Sequence, residues 1–91
     1  MTLLENLPKE IKKIEFEGFL EEIKRDFPAD EFPEIFIHYQ QVDDKIWILG
    51  IGRNAECARQ ALRAYEENPE LKKHPSETRI LRAPETGFWL R

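Results

Sequence analysis

The run Gly50-Ile51-Gly52-Arg53 is the first place in this sequence where residue types and spacing could do chemistry. Backbone N–H groups at a helix N-terminus attract anions, and glycines let a phosphate approach the main chain. The run lacks the Lys-Ser/Thr of a phosphate loop and the third glycine of a dinucleotide fingerprint. A tight strand-to-helix corner therefore explains the two glycines with fewer assumptions. Arg59 and Arg63, four residues apart, share a face of the helix that follows. With Arg53 they could contact nucleic-acid phosphates without reading bases, or form a solvated face with Glu66 and Glu67. Cys57 stands in an alanine-rich helix and reads as a small core residue rather than a nucleophile. His38 and His74 have no companion in sequence for a metal site, and Asp43-Asp44 suits a turn. Nothing assembles a nucleophile, a base and an oxyanion donor. The chain is expected to be non-enzymatic, without cofactor or metal.

The strongest elements are "EIFIHYQQV" and "KIWILGIG", rich in β-branched and aromatic residues and joined by Asp43-Asp44 as a hairpin. That register sets Tyr39 opposite Ile48 and His38 opposite Leu49. Ile35, Ile37, Tyr39, Ile46 and Ile48 then share one face; Phe36, His38, Gln40, Trp47, Leu49 and Ile51 share the other. Before the hairpin, Leu4, Leu7, Ile11 and Ile14 have helical spacing, and Phe16, Leu20, Ile23 and Phe27 continue it in a shifted phase. Two helical pieces, 3–14 and 16–27, are the reading, with a strand at Lys13–Glu17 as the alternative. "FPADEFP" ends the second piece. After the glycines, Asn54 is the expected N-cap, and Ala55, Ala58, Leu62 and Tyr65, with Ala61 beside them, form the expected buried stripe. "PELKKH" adds a turn, "TRILRA" (78–83) is a third strand, and "PETG" turns the chain into "FWLR", a fourth strand or a docked tail.

One domain, residues 1–91, is expected. Its class is α+β, a small antiparallel sheet with helices packed on one face, in the order α-β-β-α-β(-β). The alternative is a βαββαβ ferredoxin-like arrangement. Hydrophobic residues make up 41% and charged residues 35%, which suits a folded, well-solvated chain. No apolar run is long enough to span a bilayer. The single cysteine and the acidic start of the chain point to a reducing, cytoplasmic location and to no membrane partner. The net charge of −4 opposes broad nucleic-acid binding. It is unevenly spread: residues 1–51 carry 12 acids and 6 bases, residues 52–91 carry 6 acids and 8 bases, and six of the seven arginines lie in the second part. Such polarity hints at a partner.

"KIWILGIGRNAECARQALRAYEE" resembles the last strand and final helix of a double-stranded RNA-binding domain, and "FEGFLEEIKRDFPADEFPEIFIHYQQV" is similar to that family's first helix and first strand. The resemblance covers about residues 16–67. It implies a helix packed on a sheet and, through Arg53, Arg59 and Arg63, binding to structured RNA. Ala55 and Glu56 stand near the positions of the family's phosphate-binding lysine pair, and one of its three strands has no counterpart before Lys45.

The expected function is that of a small regulatory module which binds another protein. It would use Phe36, His38 and Trp47 on the second hairpin face, with Arg53, Arg59 and Arg63 alongside. Exposed aromatics of this kind anchor partners. RNA binding is the first alternative. The second is an acidic inhibitor that offers Glu21, Glu22, Asp26, Asp30 and Glu31 to a basic nucleic-acid-binding protein.

Overall fold

A computed structural model describes residues 7–83. The expected "PETG" turn, the "FWLR" element and residues 3–6 of the first expected helix lie outside them. The chain runs as β1 (Lys9–Lys12), a 3₁₀ turn (Lys13–Glu15), α1 (Phe16–Asp26), β2 (Ile35–Val42), β3 (Lys45–Gly52), α2 (Asn54–Glu67), a second 3₁₀ turn (Pro69–Lys73) and β4 (Glu77–Arg82). The four strands form one sheet in the order β1-β3-β2-β4, with every neighbouring pair antiparallel. The α+β class and the antiparallel sheet are those expected from the sequence.

The first expected helix is a strand. Lys9 and Ile11 are half-buried while Glu10 and Lys12 are exposed, the period-two pattern of a sheet. β1 pairs with β3 from Lys9↔Ile48 to Lys12↔Lys45 and so gives the outer side of β3 a ladder partner. Ile14, which fitted the helical spacing, is 89% exposed. The alternative strand at Lys13–Glu17 is displaced too, since the chain there is already a 3₁₀ turn leading into α1.

Elements alternate as βαββαβ, yet β4 lies beside β2 and not beside β1. That order decides where the helices go. The connection β1-α1-β2 steps over β3, and β3-α2-β4 steps over β2, in the same direction across the sheet. They leave from strands that run in opposite directions. Two crossovers of the same hand then fall on opposite faces. The helices, expected on one face, accordingly take one face each. α1 presents Phe16, Phe19, Leu20 and Ile23 to Ile35, Ile37, Ile46, Ile48 and Ile51. On the other side, Ala61 and Ala64 of α2 meet Leu49, Leu71 and Trp47.

Ile51 sits on the α1 face, contrary to simple alternation. A bulge between His38 and Tyr39 sets His38 opposite Gly50 and Tyr39 opposite Ile48, so Leu49 is the extra residue and everything beyond it changes face. The Ile51 N–H finds the side-chain oxygen of Gln60 at 2.8 Å. The hairpin turn is Asp43-Asp44, with Asp43 in the left-handed region at φ 58°, a conformation that aspartate tolerates better than most residues.

Candidate docking surface

The glycine corner is a structural joint. A Cβ on Gly50 would lie 2.3 Å from the carbonyl oxygen of Cys57, so the strand and α2 all but touch there. Gly52 has φ +136°, which side-chain-bearing residues rarely adopt. Arg53 donates to the Glu31 carbonyl oxygen, and its guanidinium lies 5.9 Å from the centre of the Phe32 ring. The expected cap from Asn54 is replaced by a distant one: the carboxylate of Glu34 accepts the Asn54 N–H at 3.0 Å. The positive end of α2 thus already holds an anion, one carried by the chain itself.

The arginines of the second half are largely spent the same way. Arg79 pairs with Glu17 at 3.0 Å. Arg82 donates to the carbonyl oxygens of Phe27, Phe32 and Lys24 at 2.6, 3.1 and 2.8 Å. Arg63 pairs with Glu67 along α2 at 3.3 Å. Arg59 is exposed. Much of the charge polarity seen in the sequence therefore ties the two halves of the chain together. On the acidic side, Glu21 pairs with Lys24 at 3.3 Å, and Glu22, Asp26, Asp30 and Glu31 are exposed. Glu21 and Glu22 border an open hollow of about 710 Å³ whose rim also holds Arg25.

The expected aromatic face is divided by α2. Trp47 is half-buried against the Leu49–Ala61–Ala64–Leu71 cluster. Phe36 lies opposite Gly52 while Trp47 lies opposite Gln40, so the two positions are set apart along the strands by roughly 13–16 Å. The residues that seat α2 are Cys57, Ala61 and Ala64. Ala55 and Ala58, expected inside, are exposed, and Leu62 is 57% exposed. Small side chains let the helix sit down on Gly50, and the larger ones turn outward.

This rotation opens a groove. α2 packs over β3 and β2, and among the described residues no helix packs to a similar extent on the corresponding face of β4. The cavity between them holds about 340 Å³ and is lined by Ala58, Ala61, Leu62, His38, Tyr65 and Thr78, among others. Ile80, 52% exposed, stands opposite the half-buried Phe36. The groove floor is polar but satisfied. His38 Nδ1 lies 2.8 Å from Thr78 Oγ1 and Nε2 lies 3.1 Å from the Tyr65 hydroxyl. That hydroxyl is in turn 2.6 Å from Ser76 Oγ. Burial lowers the pKa of His38 from its ordinary 6.5, which favours the neutral imidazole. His38 therefore ties three elements together, a role its sequence context did not signal.

Cys57 borders the same cavity. Burial pushes its thiol up from 9.0 to about 11, with the backbone of His38 pulling weakly the other way. The thiol is protonated at neutral pH, and the thiol is a far weaker nucleophile than the thiolate. It is expected to react with an aromatic disulfide reagent at pH 7.5 only as fast as the chain opens, and at once in denaturant. The folded state keeps this proton longer than the unfolded state does, so stability should fall as pH rises from about 9 toward 11. Urea midpoints across that window, compared with those of Cys57→Ala, check the sign.

Among the described residues no group of three or more His, Cys, Asp or Glu is placed to hold a metal ion, and no helix is long and apolar enough to cross a membrane. A scan against family models and searches of curated proteins and of solved structures return no match.

Proposed function

We propose that the protein is a non-enzymatic module that docks another protein chain in the open groove between α2 and β4. The observation that carries this reading is the set of apolar side chains around the groove. Leu62, 57% exposed, and Ala58 line it from α2, and Ile80, 52% exposed, continues the apolar surface on β4 beside the half-buried Phe36. Large aliphatic groups left in water beside a groove mark binding surfaces. Of the residues first singled out, Phe36 and His38 belong to this surface. Trp47 supports it from beneath α2, while Arg53 is a joint residue. Arg59 and Arg63 lie outside the cavity lining on the same helix.

A photoreactive phenylalanine analogue at Leu62 tests the reading in living cells. The expected result is one discrete adduct that is lost when Ala58→Glu is added and absent when the probe sits at Glu22 on α1. No adduct at Leu62, or equal labelling at Glu22, would overturn it. Titration with a short RNA duplex at low and physiological salt is the companion measurement, with no salt-sensitive binding expected. Binding that Arg59→Glu removes would establish the RNA reading in its place.

A further inference from the structure

We propose that a second copy of the protein pairs antiparallel along the outer edge of β4, the strand that borders this groove, about a two-fold axis at Thr78. The inference rests on the docking reading above in taking the exposed Ile80 beside the groove as part of an interface. β4 is the last strand of the sheet, and among the described residues none pairs with its outer side.

Its side chains alternate sharply. Glu77 and Arg79 face α1, where Arg79 meets Glu17. Thr78 and Ile80 face the groove, opposite His38 and Phe36. Directly opposed residues of an antiparallel pair point to the same side of a sheet. Self-pairing along β4 can therefore be centred on Thr78, Arg79 or Ile80. A centre at Arg79 sets two guanidinium groups against each other, which is unfavourable. A centre at Ile80 carries the ladder into the irregularity at Leu81 and Arg82, where Arg82 is already turned onto the carbonyls at the end of α1. A centre at Thr78 avoids that irregularity, using Glu77–Ile80 of the strand and Ser76 just before it. It sets Glu77 opposite the second copy's Arg79, twice over, and Thr78 opposite Thr78. Ile80 then falls opposite Ser76, next to Tyr65, to which Ser76 is bonded.

A strand that presents Glu77 and Arg79 side by side on one face is poorly suited to pairing with an arbitrary edge. Glu77-Thr78-Arg79 is complementary to its own antiparallel copy, so the charges that exclude other strands select this one. The interface is isologous. It covers part of Ile80 on each copy and joins the two grooves across the axis.

Sedimentation equilibrium over a wide concentration range tests this. The expected mass rises from that of one chain, 10.9 kDa, toward twice that value. Arg79→Glu and Glu77→Arg are each expected to weaken the dimer by about tenfold or more, since each opposes like charges at two places. The double variant Glu77→Arg/Arg79→Glu is expected to restore it. Glu17→Gln, which removes only the contact from Arg79 to α1, should leave the dimer intact. Helical circular dichroism is read on each variant, and Glu77→Arg stands alone should Arg79→Glu fail to fold. A mass that stays at one chain at all concentrations overturns the proposal, as does a double variant no better than the singles. A chain that stays monomeric yet gives a Leu62 adduct with a different protein leaves the docking reading standing. Absence of any Leu62 adduct removes the docking reading in the groove, and the sedimentation mass alone decides the dimer.

Discussion

Gly50→Ala is expected to be the most damaging single-methyl change in the chain, at a cost of about 3 kcal/mol or more. The added Cβ would lie 2.3 Å from the Cys57 carbonyl oxygen and 3.3 Å from the Ala61 nitrogen, both backbone atoms of α2. No rotamer change relieves such a contact. The whole helix must lift from β3, and the small residues Cys57, Ala61 and Ala64 that let it sit close lose their packing together. Gly18→Ala is the control. That glycine lies within α1, and a Cβ there meets nothing within 4 Å. Alanine should stabilise it by about 0.5–1 kcal/mol through helix propensity. Urea midpoints for the two variants should move in opposite directions. Equal shifts would mean that α2 is not seated on Gly50.

Arg82→Met is expected to be the second large loss, about 2–4 kcal/mol. One guanidinium gathers three carbonyl oxygens, those of Lys24, Phe27 and Phe32, where α1 has ended and the chain turns toward β2. Carbonyls at a helix C-terminus have no partner within the helix, and a positive charge there also meets the negative end of the helix dipole. Methionine keeps much of the length and none of the donors. Arg82→Lys should recover only a small part, because a single ammonium group cannot span three acceptors as the planar fork does. Hydrogen exchange of the α1 amides should speed up in both variants, while α2 stays protected.

The two substitutions mark where sequence reading runs out. The hairpin, its Asp43-Asp44 turn and the α1 stripe were legible because each rests on neighbours in the chain. Alternation and 3.6-residue spacing act over a few residues, and the structure keeps them. β1 was misread as helix because Leu7, Ile11 and Ile14 fit the helical spacing. Its strand form is imposed by β3, more than thirty residues away, which needs a partner along Lys45–Ile48. The buried side of α2 was misread for a similar reason. Hydrophobic size favoured Ala58, Leu62 and Tyr65, whereas the close approach at Gly50 favoured the smallest residues and turned Leu62 into solvent. The cap from Glu34 and the clamp from Arg82 bridge twenty and more residues, and no local pattern announces them.

The sequence by itself determined the class of the domain, the hairpin and the alternation that gives its sheet two distinct faces. It also placed the glycine corner and the charge imbalance between the halves. The tertiary structure decided which strands became neighbours, and through that order it sent α1 and α2 to opposite faces. It set Arg53, Arg79 and Arg82 against the first half of the chain, and left Leu62 exposed on an open groove and Ile80 of β4 exposed beside Phe36. The physical division is one of range. Turn geometry and side-chain periodicity act through the backbone of a few residues, whereas strand order, helix seating and ion pairing depend on which distant surfaces meet.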